Sequence, residues 1–286
     1  TSSRKTPSSS CGTTRRSPGW EVNKVNPTMN WKLQFQSESS NIQVSGFIAA
    51  SEEECRQYFV RRVSAKIAES DGSEELRQHL IELETTGFDL HGLIGQVESS
   101  PRSRDWEIGE AFAEIALEDG HEAMFPWPTG FDKRTRKASL PGPDLVGLQC
   151  HASPRFVFGQ VKSSSENRVP PQVVNSTDDC LRNQMIHLRH RSADRQQLIS
   201  WLLVRMRGTE WEDAFNEALK RYSEGDLWLV GVLVSGRRDP VETDLTNICA
   251  GIDHQPGGAE VHLLGFYLPF HKDEWVDIIY DREATP

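Results

Sequence analysis

Two apolar runs of strand length lie in the second half of the chain and limit how it can fold. They cover residues 227–235 and 261–268, and both are apolar or Gly except for a terminal Ser235 and for His262 in the second position of the second run. Such runs are typical of strands buried on both faces of a sheet. Residues 243–250 between them have the pattern of a helix. Strands that alternate with helices predict an α/β core with a mixed sheet. We expect His262 to be a satisfied core histidine.

The rest of the chain extends this alternating pattern. Further strands are predicted at residues 31–35, 42–48, 143–148 and 156–162. Helices are predicted from Ser51 through Ile67, over residues 73–83, over 106–119 with Gly120 as the closing residue, from Ser176-Thr177-Asp178 through Leu188, over 195–206 and over 211–222.

Composition divides the chain into three predicted segments. Residues 1–29 are rich in Ser, Thr, Pro and basic side chains, and we expect a disordered tail or extension there. Residues 30–100 are predicted to form an N-terminal accessory region with α+β character. Residues 101–286 are predicted to form the main domain with its C-terminal strands and helices. No apolar run approaches the length that spans a membrane, and the first residues contain no apolar segment of the secretory type.

The charge of the chain argues against a simple DNA-binding surface. The formal net charge is −10, whereas a protein that binds DNA on its own is usually basic. A basic region nevertheless occurs at Arg182, Arg189, Arg191, Arg195, Arg205 and Arg207. An acidic balance suits a subunit whose grip on DNA comes largely from a partner. The five cysteines are dispersed without paired spacing, which favours a reducing, cytoplasmic environment and no zinc site.

Three polar residues at the ends of two neighbouring strands are the strongest indication of function. Asp144 precedes the apolar residues 145–148, while Gln160 and Lys162 end the run that begins at Phe156. Side chains alternate along a strand, so Gln160 and Lys162 point to the same face. If Asp144 lies on a neighbouring strand, the three groups converge.

Such a set fits metal-assisted hydrolysis of a phosphodiester. Asp144, the amide oxygen of Gln160 and the backbone carbonyl of Val161 are hard oxygen ligands of the kind that Mg²⁺ prefers. Lys162 would orient or deprotonate the attacking water, or neutralise charge in the transition state. A further carboxylate is expected from the preceding helix, where four glutamates form one stripe. These are Glu107, Glu110, Glu114 and Glu118.

Each of these features also has a simpler interpretation. A Glu stripe is usually a solvated helix face, Pro143-Asp144 is usually a turn, and Lys162 alone would be a surface lysine. The spacing of Asp144 and Gln160-Val161-Lys162 arises by chance about once in a chain of this length. The order of the elements favours the site: a helix with Glu, a strand after Pro-Asp, and a strand that ends in Gln-x-Lys. No phosphate-cradling Gly-x-x-x-x-Gly-Lys sequence occurs, so ATP hydrolysis would need a partner.

This order resembles the PD-(D/E)xK nuclease superfamily. The matching residues are Gly109-Glu110, Pro143-Asp144 and Gln160-Val161-Lys162. The resemblance implies a restriction-endonuclease-like core, with a central mixed β-sheet flanked by helices. It implies catalytic roles for Glu110, Asp144, Gln160 and Lys162, and Mg²⁺, replaceable by Mn²⁺, held by Glu110, Asp144, Gln160 and the Val161 carbonyl. The chain departs from the commonest pattern at Gln160, where a carboxylate is usual.

The wider sequence also resembles the HamA-like nuclease subunits of Hachiman anti-phage defence. The matching segments are residues 106–110, 142–147, 158–162 and 261–268. This resemblance implies a DNase that acts on DNA in complex with a superfamily 2 helicase subunit of the HamB-like type. Two alternatives remain open: a non-catalytic scaffold of the same fold that docks a helicase or DNA, and a stand-alone restriction endonuclease.

Overall fold

A computed structural model describes residues 29–71, 73–85, 89–98, 103–127, 132, 142–150, 153–176, 178–249, 251–252 and 259–280. The predicted N-terminal tail lies outside the described residues, apart from Met29.

The described residues include seven strands that form one sheet. The strands are β1 (Trp31–Ser39), β2 (Ile42–Ala49), β3 (Ala123–Met124), β4 (Leu145–Gln149), β5 (Arg155–Ser164), β6 (Trp228–Ser235) and β7 (Glu260–Tyr267). Their order across the sheet is β1-β2-β7-β6-β5-β4-β3. The two apolar runs are therefore the inner strands β6 and β7, as their lack of polar alternation predicts.

The pairing of the strands is mixed. β5, β6 and β7 run parallel, and β2 is parallel to β7. β1, β4 and β3 pair antiparallel with their neighbours at the two sides of the sheet. The predicted α/β core with a mixed sheet is confirmed.

Helices cover both faces of the sheet. They are α1 (Glu52–Tyr58), α2 (Ser64–Asp71), α3 (Ser73–Glu84), α4 (His91–Glu98), α5 (Asp105–His121), α6 (Gln172–Asn175), α7 (Leu181–His190), α8 (Ser192–Met206), α9 (Glu212–Ser223), α10 (Thr243–Cys249) and α11 (Trp275–Tyr280). A π-helical turn at Phe59–Val63 joins α1 to α2, and a 3₁₀ turn at Lys272–Glu274 precedes α11. No helix within the described part of the chain is long and apolar enough to cross a membrane.

Two hydrophobic clusters fill the space between sheet and helices. The first contains side chains of the π-turn, α5 and α11 against one face, together with Val157, Val161 and Trp228. The second contains side chains of α6 to α10 against the other face, together with Phe156 and Phe158. The alternation along β5 therefore separates the α5 face from the α7 face, and this separation positions the candidate site.

The segment predicted as an N-terminal accessory region contributes to this same sheet. β2 pairs with β7 over residues 42–48, and Phe59 and Val63 of the π-turn are buried against α5. The boundary at residue 100 stays a prediction, because the segment around it lies largely outside the described residues.

Two predicted helix ends are wrong. α5 continues through Gly120 and ends with Glu122 in the left-handed conformation, with φ 53°. A Cβ at Gly120 would have no atom within 4 Å, so the helix passes through this glycine without a packing constraint. The helix predicted to open at Ser176-Thr177-Asp178 begins only at Leu181, and the separate short helix α6 precedes it.

Candidate active site

Asp144 lies directly before β4, after a bend of the backbone at Gly142. Gly142 has φ +120°, a conformation that favours glycine, and Pro143-Asp144 leads from it into the strand. The Asp144 carboxylate accepts a hydrogen bond from the backbone N–H of Val161, with Oδ2 2.8 Å from the nitrogen. This contact fixes the carboxylate against β5 at the point where the ladder of β4 and β5 ends.

Asp144 and Gln160 lie opposite each other on the two strands. Leu145 pairs with Gly159 in the antiparallel ladder, so the next step brings Asp144 level with Gln160. Directly opposed residues of an antiparallel pair point to the same face. Since Phe158 belongs to the α7 side of the core, the alternation puts Gln160 and Lys162 on that side as well. The structure thus brings Asp144, Gln160 and Lys162 to one place, as predicted.

Gln160 is a buried polar residue with an unused acceptor. Its side chain is 4% exposed, and Oε1 has no hydrogen-bond partner within the described residues. Burial of an amide oxygen without a partner is unfavourable. A cation or a donor on a bound ligand would remove this cost.

The backbone of Val161 adds a further oxygen on the same edge. In a strand the N–H and C=O of one residue point to the same side. Since the Val161 N–H is directed at Asp144, its carbonyl also lies on the edge that faces Asp144. The carboxylate, the Gln160 amide and this carbonyl form a set of hard oxygen donors.

Lys162 is paired with an acid that the sequence interpretation did not single out. Its Nζ lies 3.0 Å from Oδ2 of Asp179, in the turn before α7. The lysine side chain is 17% exposed and the aspartate 79% exposed. Gln184 Nε2 donates to the other oxygen of the same carboxylate. Sequence reasoning assigned this region to a helix N-terminus, and nothing in its local pattern indicated a partner for Lys162.

Gln160 and Asp179 line a cleft of about 630 Å³ between the β4–β5 end and helices α7 and α8. Gly142, Pro143, Gln160 and Leu188 form part of its wall. Polar side chains complete the lining, namely Asp178, Asp179, Gln184, His187, Asp194 and Gln197. The cleft is therefore richer in acceptors than in cations.

The contacts of Glu107, Glu114 and Glu118, three members of the glutamate stripe on α5, are structural. Glu107 Oε2 accepts from the backbone N–H of Arg104 as a cap of the helix. Lys66 of α2 forms ion pairs with Glu114 at 3.3 Å and with Glu118 at 2.9 Å. Burial raises the pKa of Glu114 to about 7, although Lys66 opposes the shift.

Glu110 lies on the helix that packs against the opposite face of β5. Its neighbour Gly109 meets Ser163 so closely that a Cβ there would lie 2.0 Å from the serine Oγ. This approach puts the first half of α5 beside the strand end that holds Lys162. Glu110 is half-buried at this point, and its role as the fourth site residue stays a prediction.

Three of the six arginines in the predicted basic region are used inside the protein. Arg189 donates to the carbonyl of Ala259, and Arg195 donates to carbonyls at the end of α7. Arg205 forms an ion pair with Asp132 at 2.5 Å, and its guanidinium lies 4.1 Å from the ring centroid of Trp201. These three arginines stabilise α7, α8 and their surroundings instead of forming an open phosphate-binding strip.

The predicted core histidine is buried at the far end of the sheet. His262 Nε2 lies 2.6 Å from Glu260 Oε1, while Nδ1 has no partner within the described residues. His121 at the end of α5 approaches both this ring and Trp228. Burial lowers the pKa of His121 to about 4, with a smaller contribution from His262. This cluster lies away from the β4–β5 end that carries the candidate site.

A conventional cluster of metal ligands does not occur in the described part of the chain: no three His, Cys, Asp or Glu side chains are grouped so that they could hold an ion. The predicted ligand set contains only two such side chains, Glu110 and Asp144, and is completed by amide and carbonyl oxygens. No protein-family model matches the chain, and no curated protein matches it.

Proposed function

We propose that this protein is a metal-dependent nuclease that hydrolyses phosphodiester bonds in DNA, with a restriction-endonuclease-like PD-(D/E)xK core. The observation that carries the proposal is the contact of Asp144 with the Val161 N–H, which holds the carboxylate opposite Gln160 and on the same side as Lys162. The order of α5, β4, β5, α7 and β6 supports it further.

The donor set suits a hard divalent cation. Asp144 supplies charge, and the Gln160 Oε1 and the Val161 carbonyl supply neutral oxygens on one strand end. Mg²⁺ and Mn²⁺ accept such ligands and keep some of their waters. Glu110 would complete the set only by reaching past the end of β5, because α5 packs against the opposite face of that strand. When bound, the ion would polarise the phosphate and lower the pKa of a coordinated water.

The chain's own residues would perform the remaining work. The Val161 N–H holds Oδ2 of Asp144 and so fixes the orientation of the carboxylate at the end of β4. Lys162 would place its ammonium next to the scissile phosphate, where it stabilises the negative charge that develops in the transition state. For that role Lys162 has to exchange its contact with Asp179 for a contact with phosphate.

The second candidate is a non-catalytic scaffold that docks a helicase or DNA. Gln160 favours it, because an amide in place of a carboxylate leaves the ion one negative charge short. Crystals soaked in Mn²⁺ separate the two functions through anomalous scattering. An ion between Asp144 and the Val161 carbonyl supports the nuclease, whereas an empty position at millimolar Mn²⁺ supports the scaffold.

We further propose that the protein acts in the cytoplasm in bacterial anti-phage defence, as the nuclease subunit beside a superfamily 2 helicase. The acidic balance of −10 and the acid-lined cleft support reliance on a partner for DNA capture. Pull-down of the native complex tests this partnership. A helicase that elutes with the chain supports it, and discrete fragments cut by the chain alone would favour a stand-alone restriction endonuclease instead.

Cleavage of a supercoiled plasmid in Mg²⁺ or Mn²⁺ tests the activity. Asp144→Asn is the informative variant, because the amide oxygen can still accept from the Val161 N–H while the negative charge is lost. We expect nicking to fall about 100-fold or more. The matched control is Asp213→Asn on exposed α9, which should nick at the wild-type rate.

A further inference from the structure

The ion pair between Lys162 and Asp179 joins two side chains of very different exposure. The lysine is mostly buried, whereas its partner is an exposed carboxylate on the turn before α7. An ion pair with so exposed a partner is weak and easily exchanged. The Asp179 carboxylate therefore pairs with the Lys162 ammonium but can be displaced from it by another anion.

The acidic residues around this ion pair make it harder for a phosphate to replace Asp179. Asp178, Asp179 and Asp194 all line the same cleft, and among its described lining residues only His187 carries a basic side chain. A phosphate that approaches Asp179 through this cleft meets negative potential from the three carboxylates. The Gln184 side chain also donates to the Asp179 carboxylate and keeps it turned toward the lysine.

We infer that Asp179 is an internal competitor for the phosphate group of a nucleic-acid substrate, and that it restrains the site by occupying Lys162 until substrate displaces it. This inference rests on the proposed nuclease function for its biological meaning, but the competition itself concerns anion binding. A carboxylate and a phosphate oxygen make the same charge-assisted contact with an ammonium and repel each other, so Asp179 competes with phosphate for Nζ. Asp179 is thus a positioning residue that acts through Lys162.

Asp178 provides a matched control. It is the adjacent residue, lines the same cleft and carries the same charge. Its backbone carbonyl accepts a hydrogen bond from the Asn183 side chain, and among the described residues the acid that pairs with Lys162 is Asp179. Asp179→Asn and Asp178→Asn therefore remove the same charge from the same cleft, and only the first breaks the ion pair with Lys162.

Binding of a fluorescein-labelled 20-base-pair DNA duplex, measured by anisotropy in EDTA, tests the competition without cleavage. We expect Asp179→Asn to bind about threefold to tenfold more tightly than Asp178→Asn. The gain should vanish when Lys162→Ala is added to Asp179→Asn. Equal binding by the two Asn variants, a gain that persists without Lys162, or weaker binding by Asp179→Asn would each overturn the inference.

Cleavage in Mg²⁺, measured on the same proteins, separates this inference from the proposed function. If the binding gain appears but no variant cuts DNA, the competition stands and the nuclease assignment fails. If the wild type cuts DNA but Asp179→Asn gains nothing in binding or rate, the nuclease assignment stands and the inference fails. Thermal melting confirms that both exposed Asn variants are folded.

Discussion

The Asp144 carboxylate accepts a hydrogen bond from the backbone N–H of Val161, with Oδ2 2.8 Å from the nitrogen. Through this hydrogen bond Asp144 has two roles. The bond closes the end of the ladder between β4 and β5, and it fixes the Asp144 carboxylate beside Gln160. Asp144 is therefore structural as well as a candidate ligand, and substitutions must separate the two tasks.

Asp144→Ala and Asp144→Asn should differ in stability. Alanine leaves the Val161 N–H without its acceptor, and we expect the free energy of unfolding to fall by about 1–3 kcal/mol. Asparagine retains an acceptor oxygen and should cost less than about 1 kcal/mol. Urea unfolding followed by circular dichroism measures both. If both variants lose the same free energy of unfolding, the hydrogen bond to the Val161 N–H does not stabilise the fold and only the charge of Asp144 matters.

Gln160→Glu should make the stability of the protein depend on divalent cations. A second carboxylate next to Asp144 is buried and repelled, so we expect the melting temperature to fall in EDTA. Mn²⁺ should restore it and bind about tenfold more tightly than to wild type. Gln36→Glu on the exposed edge strand β1 is the control and should respond to neither condition. A melting temperature of Gln160→Glu that is unchanged by Mn²⁺ would argue against a cation at this position.

Gly109→Ala tests the close approach of α5 to β5. The added Cβ would lie 2.0 Å from Ser163 Oγ, so the serine hydroxyl must rotate away or helix and strand must shift, at a cost of up to about 3 kcal/mol. Ser163→Ala in the same protein should recover most of that loss. The control is Gly120→Ala, where no atom lies within 4 Å and better helix propensity should stabilise by about 0.5–1 kcal/mol. If Gly109→Ala is also stabilising, α5 does not lie where the structure puts it.

His121 should make the protein less stable in acid. Its pKa falls from 6.5 to about 4 on folding, so the unfolded chain binds more protons between these values. Stability therefore decreases as pH falls from 6.5 toward 4, by about 2 kcal/mol or less at pH 5. His121→Phe keeps a ring against Trp228 and should remove this part of the pH dependence. Chemical unfolding of both proteins at pH 7 and pH 5 measures it, and identical pH dependence would contradict the burial of the ring.

The sequence predicted most elements because apolar patterning reports burial directly. The runs that became β6 and β7 lack polar alternation, and they are inner strands. The helix was predicted to begin at Ser51, and the Ser51 Oγ accepts from the Glu54 N–H as an N-cap. Features of this kind can be predicted because they depend on residues only a few positions apart in the sequence.

Relations between distant segments could not be predicted in this way. Nothing local indicates that β2 pairs with β7, since that pairing joins residues more than 200 positions apart. The Glu stripe on α5 was ambiguous because its partner, Lys66, lies on another helix. Asp179 was missed for the same reason: its contact with Lys162 depends on how α7 packs against β5.

The central claim is that Asp144, Gln160 and Lys162 form a metal-dependent nuclease site. The most direct measurement is single-turnover nicking of a supercoiled plasmid by the purified protein. A helicase that co-purifies with the protein is kept in the assay. The account predicts nicking in Mg²⁺ or Mn²⁺, none in EDTA, and a loss of at least about 100-fold in Lys162→Ala. Lys220→Ala, which removes an exposed lysine on α9, should nick like wild type. Undiminished nicking by Lys162→Ala, or nicking that persists in EDTA, would contradict the account.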